Sequence, residues 1–155
     1  MRRMAVLLVA LGGFAVGADD PPGFTQLTPS NLKSIEQQIV QKLGTQKNGI
    51  QQLNDLGTHT LMLSHMEASG QAEIHENITD VFIIQSGEAT LTVGGKMVGG
   101  KSTGPGEIRG TSIEGGVTKK MGAGDIINIP VGTPHHTQLG PGQKVTYFIV
   151  KIKAK

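Results

Sequence analysis

The chain has 155 residues, the usual size of one domain, and contains no cysteine, which excludes disulfides, thiolate metal ligands and cysteine catalysis. Lys and Arg outnumber Asp and Glu by only 14 to 12, and aromatic residues make up 3% of the chain. This composition gives no support for nucleic-acid binding, which needs a basic surface or stacking platforms.

The N-terminal segment has the pattern of a secretory signal peptide. Residues 1–4 contain two arginines, residues 5–17 are apolar, and small residues at 16–18 form a cleavage site. We expect residues 1–18 to be removed, leaving a periplasmic or secreted protein with no membrane attachment. Removal of Arg2 and Arg3 lowers the 14 basic residues to 12, which balances the 12 acidic ones.

A linker and one helix are predicted for residues 19–48. Thr28 is suited to the N-cap position, Pro29 to the first helical turn, and Gly44 to the C-terminal stop. Apolar residues recur at helical spacing on one face, namely Leu32, Ile35, Ile39 and Leu43. This amphipathic helix is expected to pack either on the outside of the main domain or on a partner subunit.

From residue 49 to residue 155 the pattern is typical of an all-β sandwich or barrel. Short strands are predicted near residues 50–53, 58–66, 71–77, 80–86, 88–94, 116–121, 125–129, 134–138 and 143–152. Ser86, Gly87 and Glu88 read as a tight hairpin. The glycine-rich stretch at 99–106 is predicted to be irregular, either a mobile loop over the barrel mouth or a surface insertion.

Two short segments carry the candidate metal ligands. Glu73 and His75 lie two residues apart, so an extended backbone points both side chains to the same face. Asp80 opens the next apolar run, and His135 follows a Pro-x-Gly turn. Two imidazoles with one or two carboxylates are a suitable first shell for a divalent transition metal.

These segments resemble the two motifs of the cupin superfamily. The first family motif ends in His-x-His, three or four residues, Glu, six residues and Gly, where this chain has Glu73, His75, Asp80 and Gly87. The second motif is matched at every spacing by Gly124, Pro130, Gly132 and His135, with Leu139 in place of the usual Asn. The resemblance covers roughly residues 58–152 and marks a small, single-domain, type-2-like cupin with a modified first motif.

The resemblance implies a jelly-roll β-barrel that binds Fe, Mn or Zn through Glu73, His75, Asp80 and His135. It further implies a metal-dependent enzyme, of dioxygenase or isomerase type, that acts on a small polar molecule. Glu73 is alternatively a catalytic general base. A non-catalytic cupin that binds a small ligand or metal, and a structural barrel with a degenerate site, remain open alternatives.

Three further residues bear on the pocket and its surroundings. His65 either lines the substrate pocket or is a core histidine, and Arg109 either clamps an anionic substrate or pairs with a carboxylate. His136 is expected to face away from His135.

Both faces of the strands that contain Val81 and Phe148 are apolar, so we expect one face to pack against a partner subunit in a homodimer.

Overall fold

The computed structural model describes residues 19–154. The predicted signal peptide, residues 1–18, lies outside this range. Within the described range, no helix has the length and the apolar character needed to cross a membrane.

The described chain is built mainly from short strands that follow one helix. In chain order the elements are α1 (Pro29–Leu43), β1 (Asn48–Asp55), β2 (His59–Met66), β3 (Ala72–His75), β4 (Ile78–Val93), β5 (Lys96–Val98), β6 (Lys101–Gly104), β7 (Glu107–Gly110), β8 (Ser112–Glu114), β9 (Val117–Gly122), β10 (Ile126–Ile129), β11 (His135–Gln138) and β12 (Val145–Lys153).

Two antiparallel layers curl around one interior and share the long strand β4. One layer has the order β1-β2-β12-β4-β10, and the other has the order β9-β4-β11-β3-β7-β6. Strands β5 and β8 form a separate two-stranded ribbon. The predicted fold class, an all-β barrel with an N-terminal helix, is therefore confirmed.

Gly87 is the corner at which β4 passes from one layer to the other. Its backbone has a φ of 74°, and a side chain here would collide with the carbonyl oxygen of Lys144. The predicted hairpin at residues 86–88 was wrong, because β4 continues through this point and pairs with β12 before it and β9 after it. A register shift beside Gln85 supplies the bend that a hairpin turn was expected to make.

The interior between the layers is apolar, and a second, smaller core lies beneath the helix. The main core contains Phe82, Ile84, Leu91, Met121, Ile129 and Tyr147. Thr28 caps the N-terminus of the helix, because its hydroxyl accepts from the backbone N–H of Asn31, and the helix packs Ile39 and Leu43 against Leu63 of β2. The apolar stripe of α1 thus covers the outer face of the barrel.

Half of the stretch predicted to be irregular, residues 101–104, is strand, and the rest forms bends and the turn of a hairpin. Strands β6 and β7 form a hairpin that adds to the edge of the second layer, with β7 paired to β3. In this register Arg109 lies opposite Glu73, and Glu107 lies opposite His75. The insertion therefore brings two charged side chains to the predicted metal ligands, instead of forming a loop over the mouth.

The corner at Gly87 provides a test of this architecture. Gly87→Ala should lower the free energy of unfolding by at least about 2 kcal/mol, because the new side chain meets backbone at a left-handed φ. Gly122→Ala is a matched control, since Gly122 has open space around its Cβ position and no positive φ. Its free energy of unfolding should change by less than about 0.5 kcal/mol in urea titrations. Equal effects from the two substitutions would contradict this account of the corner.

Candidate metal centre

Strand β3 is the centre of the site because it pairs with β11 on one side and with β7 on the other. Glu73 stands opposite His135 across the first pairing and opposite Arg109 across the second. Directly opposed residues in an antiparallel pair have neighbouring side chains on one face. This register gathers groups from distant parts of the sequence.

Glu73, His75 and His135 form a group that could hold a metal ion, with one potential ligand atom from each lying within 4.8 Å of the others. The Glu73 carboxylate lies 3.4 Å from Nε2 of His75 and 3.7 Å from Nε2 of His135. Both imidazoles are buried, with 3% of each residue exposed. Two nitrogens and one carboxylate thus converge at the inner wall of the barrel.

A hydrogen bond to the backbone of a neighbouring turn fixes the orientation of His135. Its Nδ1 lies 3.0 Å from the carbonyl oxygen of Thr133, which can only accept, so Nδ1 carries the proton and Nε2 presents a lone pair in the neutral ring. Nε2 is buried and finds no hydrogen-bond partner in residues 19–154. An unpaired buried acceptor that faces a second imidazole and a carboxylate is an arrangement that could hold a cation.

His75 is held by the residues that the β6–β7 hairpin contributes. Its Nδ1 lies 2.8 and 2.9 Å from the two carboxylate oxygens of Glu107, so this nitrogen donates and Nε2 faces the centre. Arg109 forms ion pairs with both Glu73 and Glu107. A carboxylate behind a ligating histidine is the usual arrangement that fixes ring orientation and tautomer.

Asp80 also reaches the centre, but its carboxylate is already paired. Only 2% of Asp80 is exposed, and one oxygen lies 3.2 Å from Nε2 of His75 and 3.9 Å from Nε2 of His135. Nζ of Lys151 lies 3.0 Å from each carboxylate oxygen. Asp80 and Lys151 are direct cross-strand partners on β4 and β12.

A cavity of about 470 Å³ adjoins the centre. Its lining includes Glu73, Asp80, Arg109, His135 and Lys151 at the charged end, and Phe82, Tyr147 and Ile149 on the apolar side. Tyr147 donates to the sulfur of Met66 over 3.2 Å, and its phenol faces the interior. The volume suits a small molecule with both polar and apolar parts.

The structure therefore brings together all four predicted ligands, Glu73, His75, Asp80 and His135. Arg109 lines the cavity and pairs with two carboxylates, in keeping with the second of the two roles considered for it. His136 faces away, with Nε2 at 2.9 Å from the carbonyl oxygen of Gly70.

His65 is placed differently from the predicted pocket position. Its neighbours Ser64 and Met66 line the cavity, whereas His65 faces outward beneath α1, with Nδ1 at 2.8 Å from the hydroxyl of Thr146. The sequence could not distinguish the two faces of β2, because helix α1 buries the outer face as well. Alternation of apolar and polar residues is lost in a strand that is covered on both sides.

Two residues of the site were not predicted from the sequence. Lys151 follows Tyr147 and Ile149 at alternate positions of β12, and this spacing was the signal that it shares their inward face. Glu107 lies two residues before Arg109 and shares its face in the same way. Which strand β7 would pair with could not be inferred from the sequence.

The charges around the centre shift the proton affinities of its members. Burial raises the pKa of Glu73, but the neighbouring His135 and His75 rings and the charge of Arg109 outweigh it, so the pKa lies well below its usual value. The pKa of Asp80 is likewise lowered, against the effect of burial, by His75 and Lys151. Both carboxylates are therefore ionised at neutral pH.

The pKa of His75 moves the other way. Burial lowers it and the Lys151 ammonium opposes a second positive charge, but Asp80 and Glu73 prevail and raise the pKa from 6.5 to about 9. Burial raises the pKa of Tyr147 to about 12, so its phenol stays protonated. A metal ion bound at His75 would have to displace a proton near neutral pH.

The sequence and the structure were compared with those of known proteins, and only solved structures match. No protein-family model matches the sequence, and no curated protein sequence matches it. Among solved structures, a protein with a double-stranded β-helix domain from Klebsiella pneumoniae is 14% identical, with a TM-score of 0.52 over 70% of this chain and 79% of the other.

Two further structures carry the same likeness. The cupin domain of Cnp3 from Schizosaccharomyces pombe is 12% identical, with a TM-score of 0.51 over 68% of this chain and 64% of the other. The DMSP lyase DddQ from Ruegeria pomeroyi is 16% identical, with a TM-score of 0.50 over 70% of this chain and 48% of the other. This chain thus spans less than two thirds of each of these two.

The chain has the cupin fold, as the resemblance of its two motifs predicted. One of these neighbours, the lyase, is an enzyme. Because the identities are only 12–16%, the likeness shows a shared fold alone.

Titration of His75 tests the electrostatics of the centre. In protein treated with a chelator, the His75 resonances should titrate near pH 9, and Asp80→Asn should lower that pKa because it removes the negative charge beside Nε2. Since the pKa in the folded state exceeds the ordinary 6.5, the stabilisation is complete below about pH 6.5 and is lost as the pH rises through about 9. NMR titration provides the measurement, and an unchanged pKa in Asp80→Asn would contradict the assignment.

Proposed function

We propose that this protein is a metal-binding cupin in which Glu73, His75 and His135 hold a divalent transition metal beside a cavity for a small polar molecule. The observation that carries the proposal is the buried Nε2 of His135, which faces His75 and Glu73 and has no hydrogen-bond partner in the described chain. A buried polar atom left unpaired destabilises a protein by about 1–3 kcal/mol, which bound metal would relieve.

The donor set narrows the choice of metal. Two imidazoles and one carboxylate on one face suit Fe²⁺, Mn²⁺ or Zn²⁺ and leave coordination positions open toward the cavity. The ionised Glu73 carboxylate offsets part of the charge of such an ion. Its lowered pKa makes Glu73 a weak base, so this residue is better suited to ligation than to proton abstraction.

The remaining residues have roles that follow from their contacts. When bound, the metal would supply Lewis acidity, or redox chemistry if it is iron. Glu107 holds His75 in orientation, Arg109 holds Glu73, and Tyr147 offers a neutral hydroxyl to a molecule in the cavity. The apolar wall formed by Phe82 and Ile149 would exclude water from one side of that molecule.

We further propose that the metal centre is catalytic, with dioxygenase or isomerase chemistry on a small polar molecule outside the cytoplasm. Support comes from the open side of the centre, which faces a cavity large enough for such a molecule. The second candidate is a non-catalytic cupin that stores or senses its ligand. The Asp80–Lys151 ion pair favours this candidate, because it occupies a carboxylate that a fully assembled centre could use.

Metal content gives the direct test of the proposal. Protein purified without an affinity metal column should contain near-stoichiometric iron, manganese or zinc by mass spectrometry, since three convergent donors bind the ion. His75→Ala and His135→Ala should both lose it. His136→Ala is the matched control, because this neighbouring imidazole faces Gly70 and should leave the metal content unchanged.

An absence of metal in the parent protein, combined with no gain on dialysis against Zn²⁺ or Mn²⁺, would contradict the proposal. In that case the free energies of unfolding of the parent, His75→Ala and His135→Ala should not change when these metals are added.

The contribution of Glu107 can be measured separately from ligation. Glu107→Ala should weaken metal affinity by about 10- to 100-fold, because the ring of His75 loses the carboxylate that fixes its orientation. Glu114→Ala removes an equal charge from an exposed position on β8 and should not change the affinity. Competition with a chromophoric chelator measures both constants. A Glu107 variant that binds metal like the parent would show that the hairpin does not support the centre.

A further inference from the structure

Lys151 places a positive charge within the set of metal-ligating atoms. Its Nζ lies 3.0 Å from Oδ1 of Asp80, 3.0 Å from Oδ2 of Asp80 and 3.0 Å from Nε2 of His75. Two of the four predicted ligands thus face one ammonium group. The side chain is 19% exposed and lines the cavity, so it has room to move toward solvent.

A divalent ion and this ammonium group cannot occupy these positions together. A metal bound to Nε2 of His75 would lie about 2 Å from that nitrogen, within a few ångströms of Nζ. Two cations at such a distance inside a partly buried site repel strongly.

The charges of the neighbouring residues indicate what the ammonium does there. Arg109 is paired with Glu73 and Glu107, so Lys151 and His75 are the groups that compensate buried Asp80. A buried carboxylate without a partner is strongly unfavourable. Lys151 therefore supplies from within the chain the positive charge that a metal ion would otherwise bring.

We infer that Lys151 is an internal competitor for the metal: its ammonium pairs with Asp80 beside Nε2 of His75 until a divalent ion displaces it, after which Asp80 becomes a fourth ligand and Lys151 turns into the cavity. This inference rests on the proposed metal-binding function. Lys151 is a specificity-determining residue in this arrangement, because each ion must replace an existing ion pair. Ions that bind weakly to nitrogen and oxygen ligands would not displace it.

Substitution of Lys151 tests this competition through affinity alone, without reference to activity. Lys151→Gln keeps an N–H donor on a side chain one atom shorter but removes the charge. The dissociation constant for Zn²⁺, measured by chelator competition, should fall by at least about tenfold. Lys153→Gln is the matched control on the same strand. Lys153 is half exposed, and its Nζ lies as far as 3.9 Å from the carboxylate of Asp55. Its affinity should match that of the parent.

A second measurement uses the parent protein and does not depend on the folding of a variant. Lys151 should react slowly with an amine-methylating reagent in chelator-treated protein, because its ammonium is engaged by Asp80. Saturation with Zn²⁺ should raise the modification rate of Lys151 several-fold, while Lys153 in the same sample provides the reference. Peptide mass spectrometry resolves the two sites.

The outcomes separate this inference from the proposed function. Tight binding of Zn²⁺ by the parent and by Lys151→Gln with equal constants, or an unchanged reactivity of Lys151 on metal binding, would overturn the competition and leave the metal centre intact. Failure of the parent and the variant alike to bind Zn²⁺ would overturn both. A tighter variant together with a metal-dependent rise in Lys151 reactivity would support both.

Discussion

The register of β3 between β11 and β7 is the constraint on which the centre depends. It sets Glu73 between His135 and Arg109, and His75 beside Glu107, so one four-residue strand aligns two potential ligands with the groups that orient them. A slip of one residue would turn Glu73 and His75 to the opposite face and dissolve the site. Backbone pairing therefore determines where the potential ligands lie, and side-chain contacts fix their orientation.

The charged side chains around the candidate metal centre compensate one another. Glu73, Asp80 and Glu107 bring three negative charges to the inner wall of the barrel, and Arg109, Lys151 and the protonated ring of His75 offset them. Asp80 and Lys151 lie opposite each other on β4 and β12, so their pairing also links the two strands of the first layer. The centre is therefore nearly balanced with its own side chains, and an incoming cation changes that balance instead of creating it.

The sequence was informative where chemistry and spacing coincide, and less so where long-range pairing decides. Gly124, Pro130, Gly132 and His135 identify their motif by spacing, and the i, i+2 relation of Glu73 and His75 places both on one face. The continuity of β4 through Gly87 was not predictable, because a glycine with positive φ serves a turn and a strand corner equally well. Lys151 and Glu107 enter the site through pairings that join distant residues, which a local pattern does not encode.

The β6–β7 hairpin combines a peripheral position with an influence on the centre. Its outer strand, β6, forms an edge with exposed residues, and only its inner strand, β7, touches the ligands through Glu107 and Arg109. Changes in length or sequence along the outer strand can therefore accumulate without disturbing the barrel core. The predicted ligands and the two charged residues that orient them thus lie on different strands. Remodelling this one edge of the barrel would change the chemistry of the centre while the ligands stay in place.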